Sequence, residues 1–476
     1  MANRARKTSV MSRIKFPIHL ILIPSLLLLI DVSCSSYHQM PLDRDVVASR
    51  LSAPSMDLIK VEARKIKHPI LRPVEVDEQK GLTPEEAAIL AILINPGLRA
   101  ERDKKGISTA QLLQAGILPN PQFSGSLDFP VAGTTQGTVT AYGLSLGYDI
   151  NALITRDAGI EAARLNASSV ALNVAWQEWQ VAEAAKLHAY RLYLLEKQLK
   201  VARDEEKGLQ DNFKAIKRAV DFGYMTIIDL SAAQASLEKV HLVVLGIAQN
   251  MAQERFALLN AIGFGPERSL CLRQKIELPK EAAIPQSNEL IDGIADRRLD
   301  LVALKIGYAS QEERLRAAVL GQFPRITTDF SQARDTGNVV TRGLAITIGL
   351  PFFDRNQGQV AIERATRQQL FDEYIARLFE AQSKIVKLRA DIESTYRQIR
   401  ATEVYLPTQQ QLVETYHNAL LQGSADVLTY YNARDELIAN HISLLNLQLQ
   451  LIDQFVALEI AAGQFLEHPG NTEVSK

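Results

Sequence analysis

The chain has 476 residues, 53 basic and 54 acidic side chains and a formal net charge of -1. That length allows two or three compact domains or one drawn-out one, and the balanced charge provides no basic face of the kind nucleic-acid binding needs. Its two cysteines, Cys34 and Cys271, make a disulfide framework improbable, since one stands at the edge of a leader.

The N-terminus reads as a secretory leader: Arg4, Arg6, Lys7, Arg13 and Lys15, then an apolar run from Phe16 to Ile30. Such a segment is removed and takes no part in the fold. Ser33 directly before Cys34 suggests a lipoprotein processing site with acyl chains on Cys34, although Asp31 stands where a leucine is expected. The alternative is a chance cysteine after an ordinary cleavage site. No later run of ~20 apolar residues predicts a transmembrane helix. Residues 35–80 are polar with scattered prolines, and read as an extended arm.

From Thr83-Pro84-Glu85-Glu86 a helix begins, with Thr83 as cap and Pro84 at its first position, and runs to about Leu118 with a break near Asn95-Pro96-Gly97. Two segments of period two follow. In one, Phe123, Leu127 and Phe129 alternate with Gln122, Ser124, Ser126 and Asp128. In the other, Tyr142, Leu144, Leu146, Tyr148 and Ile150 alternate with small or polar residues. A helix is then predicted from about Arg156 to Phe222, a turn at Gly223-Tyr224-Met225-Thr226, and a helix returning to Ile262. The second half repeats this order at an offset near 200: Leu98, Ala100, Leu112 and Pro121 match Leu301, Ala303, Leu315 and Pro324. Arg156 and Gly159 match Arg355 and Gly358, while Gly223 and Gly263 match Gly423 and Gly463. Internal duplication is therefore the main organising fact of the chain.

Where the fourth strand ends, Pro351 has no N–H to give to a ladder, and Asp354 or Asn356 can cap the helix that follows. The return helices carry heptads, Leu230 to Leu258 and Tyr430 to Leu458, of the kind that pack as coiled coils. Four strands are too few to close a barrel, and an exported sheet with open edges is best completed by sharing a barrel between copies, its apolar face to lipid and its small polar face to a wet lumen.

The order helix, two strands, helix pair, done twice, resembles the TolC-like outer-membrane factors of Gram-negative efflux systems. So do Pro351-Phe352-Phe353-Asp354-Arg355-Asn356-Gln357-Gly358 and the Gly423 to Leu428 turn, and the Phe-Asp-Arg-Asn-Gln-Gly version is similar to the heavy-metal (cobalt–zinc–cadmium) branch. The resemblance covers roughly residues 83–466. It implies a mainly α fold with a small membrane β part: a homotrimer with a 12-stranded barrel continued by a coiled-coil helical tunnel, most of it periplasmic. It also implies a periplasmic adaptor and an inner-membrane proton-driven pump as partners, beside outer-membrane lipid. The expected divisions are a signal peptide over 1–33, a periplasmic arm over 34–82, repeats over 83–263 and 287–466, an equatorial linker over 264–286 and a polar tail over 467–476.

In that family the far tip of the tunnel is constricted by acidic residues. The positions here are Asp426 and Asp229 in the two turns and Asp435 beyond the second, each readable as part of a cation-tolerant gate or as a cap and solvated face. Pro407 lies inside the long outgoing helix, where loss of one backbone bond predicts a bend, with a break into two helices as the alternative. No catalytic constellation and no cofactor site emerges: His188, His241, His417 and His441 are scattered without an i, i+4 pair, and Trp176 and Trp179 read as packing. The expected function is a passive efflux duct for metal cations or drugs. A structural coiled-coil adaptor and the duct of a type I protein secretion system are the alternatives.

Overall fold

The structure, a computed structural model, describes residues 36–52, 54–279, 284–422 and 424–466. Cys34, Gly423, the leader and the C-terminal tail lie outside the described residues. The chain divides at Ser52 into two units. In the first, α1 (Arg44–Leu51) has no buried residue.

The second unit begins with α2 (Met56–Ala63), whose Ile59 and Ala63 are buried. Residues 56–76, expected as extended arm, are thus partly helical and packed: Ile59, Ala63, Leu71 and Val76 join the same apolar cluster as Trp176 and Trp179. The absence of a long period reflects short elements, each burying only one or two side chains. Thr83 starts α3 (Pro84–Ile94) as expected, in a reciprocal capping box with Glu86. Asn95 then accepts from the backbone N–H of Gly97 and Leu98 and starts α4 (Pro96–Gly116).

Strands β1 (Gln122–Asp128), β2 (Ala141–Asp149), β3 (Ile326–Arg334) and β4 (Val340–Ile348) form one antiparallel sheet in the order β1-β2-β3-β4. The β2–β3 pair joins the two repeats across the middle. Register places Phe123, Leu146, Phe330 and Leu344 in one row, and Ser124, Ser145, Ser331 and Gly343 in the next on the opposite face. The alternation read from the sequence is therefore a physical division of the sheet into an apolar and a small polar face.

Two long hairpins follow the strands. α5 (Asn151–Asp221) and α6 (Ile227–Ile262) make the first. After a linker, α7 (Ser287–Ile291), α8 (Ile294–Arg297) and α9 (Leu299–Leu320) lead to β3. α10 (Gln357–Leu421) and α11 (Val427–Ala462) make the second hairpin. With 71 residues, α5 is about 107 Å long at ~1.5 Å per residue. α5 packs on α6, α10 on α11, and α11 also packs on α5 and α6.

The duplication is visible atom by atom. Gly263 and Gly463, both left-handed, end the two return helices. A Cβ on Gly263 would lie 2.9 Å from Cα of Asn95, and one on Gly463 would lie 3.0 Å from Cα of Arg298. Asn95 donates to the Ala261 carbonyl and Arg298 to that of Ala461. The start of α4 and of α9 thus seats on the end of a return helix in each repeat, and only glycine leaves room for it. The linker closes the same level: Leu82 N–H donates to the Cys271 carbonyl and Arg273 N–H to that of Leu82, while the Tyr396 hydroxyl donates to the Pro279 carbonyl.

Candidate functional site

The strand-to-helix joints come first. Asn356 is left-handed (φ 57°) and occupies the N-cap position of α10, but its side chain does not cap. Its Nδ2 instead donates to the Ala318 carbonyl at 2.7 Å, tying the end of α9 to the start of α10. Asp354 accepts from Asn356 N–H, Gln357 from Arg355 N–H, and Arg355 Nε donates to the Pro351 carbonyl. Both side chains expected to cap therefore serve the turn and the neighbouring helix. Arg156 does the equivalent work in the first repeat, its Nη2 donating to the Gly116 carbonyl at the end of α4.

α5 starts at Asn151, five residues before the expected Arg156. Asp149 accepts from Asn151 N–H, and Asn151 Oδ1 accepts from Ile326 N–H at 3.0 Å. The first joint is thus closed onto β3 by polar groups that carry no helical period. Gly159 and Gly358 lie inside α5 and α10 with open space where a Cβ would stand. Gly159, Gln111, Asn166, Arg314 and Glu363 line a cleft of about 460 Å³.

At the far ends, Gly223 is left-handed (φ 71°), and Tyr224 N–H donates to the Ala219 carbonyl; Ser424 N–H does the same to Ala419, a closure that satisfies carbonyls at a helix end. Asp229 and Thr226 form a capping box on α6. Asp426 caps α11, accepting from Thr429 N–H at 2.7 Å and from its hydroxyl at 2.9 Å. The Thr429 backbone N–H holds the Asp426 carboxyl below its usual range. Asp435 stands elsewhere, accepting from the Ser236 hydroxyl and pairing with Lys239 at 3.0 Å. The three acidic candidates are therefore two caps and one bond between hairpins. Pro407 lies inside α10, which runs through it without a break. Two separate helices are excluded.

Between the hairpins runs a ladder of polar rungs. From the level of the linker toward the tips, Lys186 pairs with Glu459 at 2.5 Å, Arg191 with Asp453 through two bonds at 2.7 and 2.8 Å, Gln198 with Asn446 at 2.9 Å, and Arg434 with Glu205. A Cβ on Gly208 would lie 2.8 Å from Arg434 Nη2; that glycine makes room for a guanidinium. Sequence reasoning missed these rungs. Lys186 alone left a signal, a lysine among Ala182, Ala185 and Ala189 on the buried face of α5. The others become legible only once the helices are in register.

The first rung is dry. Lys186, Glu183 and Glu459 are at most 1% exposed, and both Glu183 oxygens lack hydrogen-bond partners. Burial and the Glu459 carboxylate raise the Glu183 carboxyl well above its ordinary range against the pull of Lys186. Lys186 is raised too, because the two carboxylates outweigh its burial. A second buried group, His68, anchors the packed arm. Its Nδ1 accepts from Ile70 and Leu71 N–H while Nε2 donates to the Ala175 carbonyl at 3.0 Å. Burial lowers its pKa, against the raising effects of Ala175 and Glu178. Of the helical histidines, His188 and His241 pair with Glu254 and Glu206. Among the described residues no group of three potential metal ligands converges.

Comparison with known proteins places this arrangement. The family model "Outer membrane efflux protein" matches residues 290–464, the second repeat. The cobalt-zinc-cadmium resistance protein CzcC of Cupriavidus metallidurans is 24% identical over 313 residues, 64% of this chain and 71% of CzcC. The second repeat is thus similar to outer membrane efflux proteins. The chain's fold matches the crystal structure of CusC with a TM-score of 0.68 at 18% identity, covering 84% of this chain and 98% of CusC. Against VceC of Vibrio cholerae the TM-score is 0.66 at 18% identity, covering 81% and 97%. The joints, tips and ladder lie on the elements that the chain's own duplication repeats.

Proposed function

We propose that the chain is the outer-membrane duct of a tripartite efflux system, a homotrimer whose three sheets close one twelve-stranded barrel and whose twelve long helices continue it as a periplasmic tunnel. The observation that carries this reading is the sheet. It ends in two unpaired edges, β1 and β4, and its apolar face is open, with Phe123 70% and Leu344 73% exposed. Unpaired backbone groups are not tolerated in hydrocarbon. A second and third copy, each placing its β1 against a neighbouring β4, remove every edge. The helices support the same closure: Leu242, Leu245 and Phe256 on α6 and Ile375, Phe379 and Val386 on α10 are exposed, as coiled-coil seams awaiting a neighbour would be.

The polar sheet face would line the lumen, and it carries Asp128, Asp149 and Asp329, with no basic residue on that face within the paired strands. Together with the likeness to a cobalt-zinc-cadmium resistance protein, this favours metal cations as cargo. Phe222, Tyr224, Ile227, Ile228, Leu421 and Leu428 are exposed at the hairpin tips, an apolar end suited to a periplasmic adaptor, with an inner-membrane proton-driven pump beyond it. Asp426, Asp229 and Asp435 would form the acidic tip, a bend at Pro407 would taper the tunnel, and acylation of Cys34 would add a lipid anchor.

Purification from outer-membrane fractions followed by planar-bilayer recording tests the duct. A heat-sensitive trimer passing cations in preference to anions is expected, with the preference reduced by Asp426→Lys. A soluble monomer would contradict the duct, and an unchanged preference would remove Asp426 from the gate.

A further inference from the structure

If the apolar sheet face meets lipid, as proposed above, two charges on that face stand out. Arg334 ends β3 and Arg342 is the third residue of β4. Gln332 faces Arg342 while Arg334 faces Val340, so the two arginines are diagonal neighbours on one face, at a spacing long side chains bridge. Toward the helices the same face is apolar, with Leu146, Phe330, Leu344, Ile346 and Ile348 exposed. Away from the helices only the loops at 129–140 and 335–339 remain. The pair therefore sits at the outer rim of the lipid-facing band.

Among the described residues no carboxylate is a partner of either guanidinium. Arg334 Nη2 donates to the Thr140 carbonyl at 2.8 Å, and its guanidinium lies 5.2 Å from the centre of the Tyr142 ring. Its Nε is buried without a hydrogen-bond partner. Arg342 Nε donates to Gln332 Oε1 at 3.2 Å, and Gln332 Nε2 in turn reaches the Tyr142 hydroxyl at 3.5 Å. Tyr142 and Gln332 thus hold two uncompensated cations together. A charged side chain on a lipid-facing strand is tolerated at headgroup level rather than in the hydrocarbon. A planar guanidinium matches phosphate oxygens two at a time, and an aromatic ring with one wet end suits the same level.

We propose that Arg334 and Arg342 form, on the outer rim of each subunit, a docking site for the phosphate of an outer-leaflet lipid headgroup, with Tyr142 and Gln332 orienting the two guanidiniums toward it. The test uses the full-length trimer in nonionic detergent, titrated with phosphatidic acid, with diacylglycerol of the same chains, and with inorganic phosphate. Phosphatidic acid should raise the melting temperature and be retained in native mass spectra, and the other two should not. The double variant R334Q/R342Q should weaken the response at least ~10-fold in half-saturating concentration, whereas R364Q, an exposed arginine of α10, should not. If the double variant fails to assemble, R342Q alone carries the test with a smaller loss. A wild-type response in the arginine variants overturns the site, and so does an equal response to inorganic phosphate. Either result on an intact outer-membrane trimer leaves the duct standing, whereas a soluble monomer contradicts the duct itself.

Discussion

Inside each hairpin the long helices meet mainly through apolar side chains, with scattered polar pairs such as His188–Glu254 and Asn440–Gln409, whereas between the hairpins polar rungs follow one another among the apolar contacts. Ala381, Ile385, Leu388, Ile392 and Ile399 of α10 share a buried cluster with Leu451, Phe455 and Leu458 of α11. Between α5 and α11, Leu194 meets Ile452 and Val456, but Lys186–Glu459, Arg191–Asp453, Gln198–Asn446 and Glu205–Arg434 are interleaved with them. Apolar burial is non-directional and tolerates small sliding; a hydrogen-bonded rung exists in one geometry or not at all. The hairpins are thus durable units joined by a seam that can be parted. The rungs also differ among themselves. Lys186–Glu459 is dry, with side chains 1% and 0% exposed, while Lys239–Asp435 toward the tip is 63% and 17% exposed. The seam is fixed near the linker and more readily exchanged for water toward the tips.

The largest expected effect comes from the dry rung. Lys186→Met leaves Glu459 buried without its cation and should cost about 3–5 kcal/mol, read by thermal or denaturant unfolding of the purified protein. Adding Glu459→Gln should recover most of the loss, since the amide oxygen can still accept from Leu466 N–H. A neutral Lys186→Met would contradict the assignment. Ile385→Ala, at a fully buried seam position, should cost about 2–5 kcal/mol with no change in pH dependence, which separates the two kinds of seam. Arg434→Ala, at a mostly buried rung, should cost about 1–3 kcal/mol and loosen the tip, so conductance should rise.

Acidity sharpens the comparison from both sides. Because Glu183 is raised in the folded state, its contribution is fully present below the ordinary glutamate pKa of about 4.3 and lost as pH rises through the raised value. Glu183→Gln should remove that alkaline decline. His68 is a base with a lowered folded pKa, so its contribution is present above about 6.5 and declines as pH falls. Tryptic cleavage at Lys65 and Lys67 should accelerate in mild acid, and His68→Gln should flatten the response. Equal cleavage at both acidities would free His68 from the role of anchor.

The repeat, the four strands and both hairpins were legible in the sequence, because periods of two, of three and four, and of two hundred persist over many residues. Thr83-Pro84-Glu85-Glu86 was legible because a capping box is local. The joints were less so: Asn356 looks like a cap, but its partner is the Ala318 carbonyl of α9, 38 residues away. Asp435 reads from the sequence only as a carboxylate beyond the tip turn, and its partners Ser236 and Lys239 become visible only in register. The ladder was hidden for the same physical reason. Each rung needs the relative axial position of two helices about two hundred residues apart or more, and heptads fix which face packs without fixing which turn meets which. The packing of residues 56–76 escaped because His68 fastens it through backbone partners at Ile70, Leu71 and Ala175, which no composition signals.

Single-channel recording on Arg434→Ala/Asp435→Ala beside the wild type tests the central claim most directly. With the bonds of Arg434 and Asp435 between the hairpins removed, a duct held at its tip by them should conduct several-fold more than the wild type while still assembling. Equal conductance in an assembled double variant would contradict the account.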